Sequence, residues 1–221
     1  MDGTTATAES VARYFLHLAA TADEPTPLTQ LQLHKLLYYA HAWSLASAGR
    51  PLYPARLQAW VHGPVDADLY PTFARYGSQA IGAHESADPS TLSKDDKRLI
   101  RSVWVAYGKF SAWRLREMTH EEAPWKDARA SLPDEESSRA PITDEALRSF
   151  FYAQHDANCR AIGLTAEELA QARRDIREGR GIPLEQICAE ILAEAEAAGI
   201  DRSLFRHPLK PVQPGAARRA G

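Results

Sequence analysis

The chain has 221 residues, 44% hydrophobic and 25% charged, with a formal net charge of −3 and a sequence pI of about 6.2. This is the composition of a globular chain with enough apolar residues for an ordinary core. It excludes a strong global field toward nucleic acid or an anionic membrane surface. No apolar run is long enough to span a bilayer, and two cysteines do not make a disulfide framework. The start of the sequence lacks the basic and apolar regions of a secretory signal, so the expectation is a cytoplasmic protein with reduced thiols.

Val11, Tyr14, Phe15 and Leu18 stand at i, i+3, i+4 and i+7 and predict an amphipathic helix over 10–20. A loop with Pro25 and Pro27 follows. Thr29 is placed to cap a second helix that runs to about Ala48, with Leu33, Leu36, Leu37, Ala40 and Trp43 as its buried stripe. Gly49 suits the left-handed residue after its end, and Pro51 prevents continuation. The apolar stretch 57–61 is too short to assign to strand or helix on its own. Pro64 fits the first turn of a third helix lined by Val65, Leu69, Phe73 and Tyr76 and ended by Gly77.

Residues 78–92 read as a loop. Ser93 caps the next helix, with Asp95 and Asp96 near its positive end and Leu99, Ile100, Val103, Trp104 and Tyr107 as its stripe. Gly108 closes it, and Ser111 caps another helix through about Thr119. Pro124 opens a brief turn carrying Trp125. Residues 132–140 form a charged linker, after which Thr143 caps a helix bearing Leu147, Phe150 and Phe151. In the tail, Thr165 and Glu168 form a capping box. Beyond Gly179-Arg180-Gly181, Pro183 starts a helix with Leu184, Ile187, Cys188, Ile191, Leu192 and Ala195 on one face. The end, past Pro208, is expected to be disordered.

Chemistry-bearing patterns are sparse. His34 and His41 share a helix face and read as packing residues. Zinc would need three or four converging ligands, and no such spacing occurs. No Gly-rich phosphate loop is present. Cys188 lies on an apolar stripe, and Cys159 near His155 lacks the placed base and oxyanion site of a nucleophile. No catalytic residue, metal ligand or cofactor is therefore assigned. His62-Gly63-Pro64 is more pointed. A histidine before a Gly–Pro step at a helix start sits beside free N–H groups, a place for an anion or a carboxylate; equally, Gly63 permits the turn, Pro64 opens the helix and His62 is a cap.

Three blocks resemble one family. They are Leu33-His34-Lys35-Leu36-Leu37-Tyr38-Tyr39-Ala40-His41-Ala42-Trp43; Trp60-Val61-His62-Gly63-Pro64-Val65; and Tyr107 to Leu115 followed by Met118-Thr119-His120-Glu121-Glu122-Ala123-Pro124-Trp125. In this order they are similar to the signature of Panacea-domain proteins, a family that includes antitoxins of bacterial and phage toxin–antitoxin pairs. The resemblance implies a stable domain that helps neutralise a cognate protein toxin by direct binding, in the manner of a type II system. Lys35, Trp60, His62, Gly63, Pro64, Tyr107, Ser111 and Trp125 match it.

The fold class expected is mainly α: a multi-helix domain over 8–155 with at most a short strand pair, a helical tail over 160–207, and a disordered end over 208–221. The stretch 169–192 also resembles the helix–Gly–Pro–helix ends of small prevent-host-death or RelB-like antitoxins. Helix 184–198 either clamps the toxin or packs on the domain; both cover an apolar face. Partner contacts are expected at Lys35, Trp60, His62, Gly63 and Pro64, and in the tail at Leu184, Ile187, Ile191 and Leu192. The rival of another class is a proteolytic adaptor that hands a partner to a protease; a hydrolase ranks lower. Homo- and hetero-oligomers with the toxin both remain open. DNA binding is not favoured, although Arg173, Arg174, Arg177 and Arg180 cluster.

Overall fold

The computed structural model describes residues 6–161 and 165–177. The chain divides into two compact units, Met1–Phe151 and Tyr152–Gly221. The described elements are α1 (Ala8–Ala20), α2 (Gln30–Trp43), β1 (Leu57–Trp60), β2 (Gly63–Asp66), α3 (Tyr70–Phe73), α4 (Lys94–Tyr107), α5 (Ala112–Glu121), α6 (Ala123–Arg129), α7 (Asp144–Ala161) and α8 (Ala166–Arg177). The fold is mainly α-helical with one two-stranded antiparallel sheet. No helix among the described residues is long and apolar enough to cross a membrane, and among them no three His, Cys, Asp or Glu side chains group to hold a metal ion.

The helix starts follow the capping chemistry of the sequence. Thr7 and Ser10 form a capping box on α1, and Thr29 and Gln32 form one on α2. Ser93 accepts from the Asp96 N–H and Ser111 from the Arg114 N–H. Thr143 accepts from Ala146 at the start of α7. Each such cap satisfies one of the backbone donors orphaned at a helix start, worth about 1 kcal/mol. In the second unit Thr165 and Glu168 close a reciprocal capping box on α8. Leu184, Ile187, Ile191 and Leu192, Cys188 and the proline-rich end lie outside the described residues.

α2 is the axis of the first unit. Every residue from Gln32 to Ala42 is buried, so the single apolar stripe expected for it is too narrow a description. Its polar residues go inside as well: His34, Lys35 and His41 are all at or below 1% exposure. A helix enclosed on all sides loses its amphipathic pattern. α1, α4 and α5 pack around it, and β2 covers its remaining side. The last stretch, Ser44–Ala48, continues as a π-helical turn to Gly49, which takes the left-handed conformation at φ +68°.

The segment after residue 57 departs from the sequence reading. Residues 63–66 are strand, not the start of a helix, and the helix of that region is the single turn Tyr70–Phe73. The register pairs Leu57 with Asp66, Ala59 with Pro64 and Trp60 with Gly63, leaving Val61 and His62 as the loop. Proline is tolerated here because β2 is an edge strand and the missing N–H breaks no second ladder. On its other side β1 is held by backbone bonds from Ala59 N–H to the Ala140 carbonyl and from Ile142 N–H to the Leu57 carbonyl. The charged linker 132–140 thus ends as a cover on β1.

Candidate functional site

The β1–β2 turn is where the residues of the three blocks meet. Gly63 has φ +92°, a conformation L side chains rarely adopt. A Cβ there would lie 2.6 Å from both Lys35 Cε and Thr119 Oγ1. The turn is therefore packed directly on α2 and α5, and only glycine fits. Lys35, fully buried, donates from Nζ to the Pro64 carbonyl at 2.9 Å. Burial first, and then the charge of Arg116, pulls its ammonium down to about 7.

The other strand is fixed by α6. Trp125 Nε1 donates to the Trp60 carbonyl at 2.9 Å, which gives the buried indole its one required acceptor. Arg129 donates to the Ala59 carbonyl at 3.2 Å, and its second amino group reaches the Pro133 and Glu136 carbonyls at 2.6 and 2.7 Å. Its guanidinium lies over the Trp125 ring. Arg129 is 2% exposed, so its charge is spread over carbonyl dipoles, and these bonds tie the 133–136 loop to β1. The sequence reading did not single out Arg129: an arginine near a helix end has no spacing that marks it as a bolt.

The third block contributes a second node. Tyr38 and Tyr39 donate their hydroxyls to the two oxygens of Glu122 at 2.7 and 3.0 Å. Enclosure of this carboxylate, only partly offset by the two phenols, pushes it up to about 7. Tyr39 also stacks on Tyr107 with ring centroids 3.9 Å apart, and Trp43 donates to the Tyr107 hydroxyl. His34 accepts from the Asp66 N–H, and burial holds its imidazole down at about 3. His41 contacts Asp144 at 2.9 Å. Both histidines serve packing.

What faces water is a different set. His62 is exposed and Trp60 half-buried, whereas Lys35, Gly63 and Pro64 are buried beneath them. The expected contact residues therefore separate into an outer pair and an inner support. Trp60 lies against Tyr70, 4.7 Å between centroids, and Arg139 sits over the Trp60 ring. On α5, Trp113, Arg116 and His120 follow at i, i+3 and i+7, one helix face. Trp113 is 57% exposed and carries the Arg116 guanidinium over its ring at 4.7 Å. His120 stacks on Trp125 at 3.7 Å. The sequence reading placed none of Tyr70, Arg116 and Arg139 in the site; only the folded chain brings them beside residues 60–64.

The arrangement offers a rigid surface of aromatic and cationic groups. The family described as Antitoxin SocA-like, Panacea domain, matches residues 33–126, which span Lys35, the turn, Glu122 and Trp125. Antitoxin SocA of Caulobacter vibrioides is 33% identical over 130 residues, covering 53% of this chain and 68% of that protein. No solved structure matches the chain.

Proposed function

The chain belongs to the SocA-like, Panacea-domain antitoxin family, and from that membership we propose that it neutralises a protein toxin by direct binding, as the antitoxin of a type II pair. The β1–β2 turn face is the contact surface. Trp60 and His62 touch the toxin, and Lys35, Gly63 and Pro64 hold them in place. The observation that carries this reading is the separation just described. A network of buried polar groups is spent on fixing one short hairpin, and the hairpin carries a half-buried Trp60 and an exposed His62 at its turn. Pre-organised Trp and Tyr are the side chains from which interface hot spots are made. The tail residues Leu184, Ile187, Ile191 and Leu192 supply a second, separable contact, with residues 8–155 as the folded domain and 160–207 as the tail.

The test is co-expression with the product of the adjacent gene. Growth arrest caused by that product should be relieved by this chain, and the two should co-purify as a stable complex. Rescue with no stable complex would overturn direct neutralisation and favour a proteolytic adaptor, which requires a third protein.

A further inference from the structure

The face formed by α5 and the β1–β2 turn carries Arg116 and His62 above the buried Lys35. Lys35, His62 and Arg116 have no carboxylate within ion-pairing distance among the described residues. Glu117, the nearest acid on the same helix face, is paired with Arg114. Arg116 Nε is buried without a hydrogen-bond partner. His120, 9% exposed, already turns its Nδ1 to Asp134 at 3.6 Å and packs on Trp125, so it borders the face without an N–H to offer. Buried donors normally have partners, and each exception needs a reason. The Arg116 guanidinium, lying over Trp113 beside a buried lysine and an exposed histidine, is left to take its acceptor from outside the described residues. The charges are close enough to act on one another. Arg116 holds the His62 and His120 imidazoles below the usual range, second to burial in each case, and Lys35 adds to both.

We propose that this face is a carboxylate-binding site, formed by Arg116 and His62 with Lys35 beneath, that takes an aspartate or glutamate side chain from an acidic segment of the partner protein. The proposal deepens the reading of the turn face as the toxin contact and rests on it for the identity of the partner. Arginine presents a planar fork that a carboxylate fills with two bonds. Trp113 and Trp60 flank the cations and supply apolar area for the rest of the segment. A nucleic-acid backbone is disfavoured, because it would need a stripe of phosphate contacts along a basic surface, and this chain has a net charge of −3.

The experiment uses the full chain without toxin, so that its outcome is independent of the co-expression test. N-acetylated hexaglutamate, hexaglutamine, inorganic phosphate and a short duplex DNA are titrated in turn, and binding is followed by calorimetry and by the histidine imidazole resonances. Hexaglutamate should bind saturably, shift the His62 resonances and raise the His62 titration midpoint; hexaglutamine should do none of these. Arg116→Gln should weaken hexaglutamate at least about tenfold, Arg116→Lys should recover part of the loss, and Arg148→Gln, on an exposed position of α7, should change nothing. His62→Gln provides a second variant at an exposed site in case Arg116→Gln unfolds. Absence of saturable binding, equal binding by Arg116→Gln and His62→Gln, or tighter binding of phosphate or DNA than of hexaglutamate each overturns the proposal. Failure here leaves the toxin contact standing on other residues, and failure of co-purification with the adjacent product leaves the carboxylate site standing.

Discussion

Lys35 and Glu122 are two buried ionisable groups of one network, and the network treats them oppositely. The Lys35 ammonium meets a single backbone carbonyl and lies directly under an exposed turn. The Glu122 carboxylate is closed off by two phenols from α2, with aromatic rings packed behind them. One node lies beneath the β1–β2 turn, and the other locks α2 to the α5–α6 junction. The difference teaches that burial of a charge has no single meaning. Two phenol donors hold both Glu122 oxygens and partly offset the burial that raises its carboxyl, so Glu122 is a fastening. A cation with one acceptor, next to further cations, is left incomplete.

The comparison breaks most easily at Gly63. Gly63→Val combines left-handed strain with a clash against Lys35 and Thr119. It should cost about 4 kcal/mol, the sum of strained-backbone and overpacking penalties. Gly49 has a similar positive φ but open space around it, so Gly49→Ala should cost only about 1 kcal/mol. Urea unfolding of both variants measures the gap; equal losses would mean that the packing of the turn on Lys35 contributes nothing.

A medium effect separates the two nodes by pH. Glu122 is raised from its ordinary 4.5 to about 7, so its contribution to stability is fully present below pH 4.5 and is lost as pH rises through about 7. Lys35 is lowered from 10.5 to about 7, so its contribution is present above pH 10.5 and is lost as pH falls through about 7. His34 and His120, lowered to about 3 and about 4, remove stability as pH falls from the usual histidine range and oppose the Glu122 trend, so differences between variants are the quantity to read. The stability of wild type minus that of Glu122→Gln should fall between pH 4.5 and 7. That of wild type minus Lys35→Met should rise between pH 7 and 10. Flat difference curves would show that neither group titrates within the core. At neutral pH, Glu122→Gln should cost about 1–3 kcal/mol, because the amide nitrogen replaces an acceptor for a buried phenol.

The smallest stability effect belongs to His62. The side chain is exposed, so His62→Ala should change unfolding free energy by less than about 0.5 kcal/mol while weakening toxin capture about tenfold, or about 1.4 kcal/mol. Lower stability with unchanged capture would assign the turn a purely architectural role.

The caps were legible in the sequence because capping is local. Thr29, Ser93, Ser111, Thr143 and the Thr165–Glu168 pair each act within three residues. The family blocks pointed to Lys35 and to the 60–64 turn. The strand at 63–66 was not legible: Gly-Pro marks a helix start as readily as a hairpin exit, and only packing against α2 decides. The burial of α2 was under-read, since its polar residues suggested an outer face. Its partners lie far away in sequence, with 84 positions from Tyr38 to Glu122 and 29 from Lys35 to Pro64. Periodicity reports one element at a time and carries no information about such pairs. Arg116 and Arg129 escaped for the same reason.

The fastening of α2 by Glu122 sets a clock on biosynthesis. Tyr38 and Tyr39 leave the ribosome well before the acid that accepts their hydrogen bonds, 84 and 83 residues later. At about 5–20 residues per second, that interval is on the order of 4–17 s. During it the central helix has neither its acceptor nor the α5–α6 cover, and the hairpin turn has Lys35 beneath it but not Thr119. A fold fastened this way completes its core late, so a nascent or truncated chain ending before residue 122 lacks the acceptor that holds α2 in place.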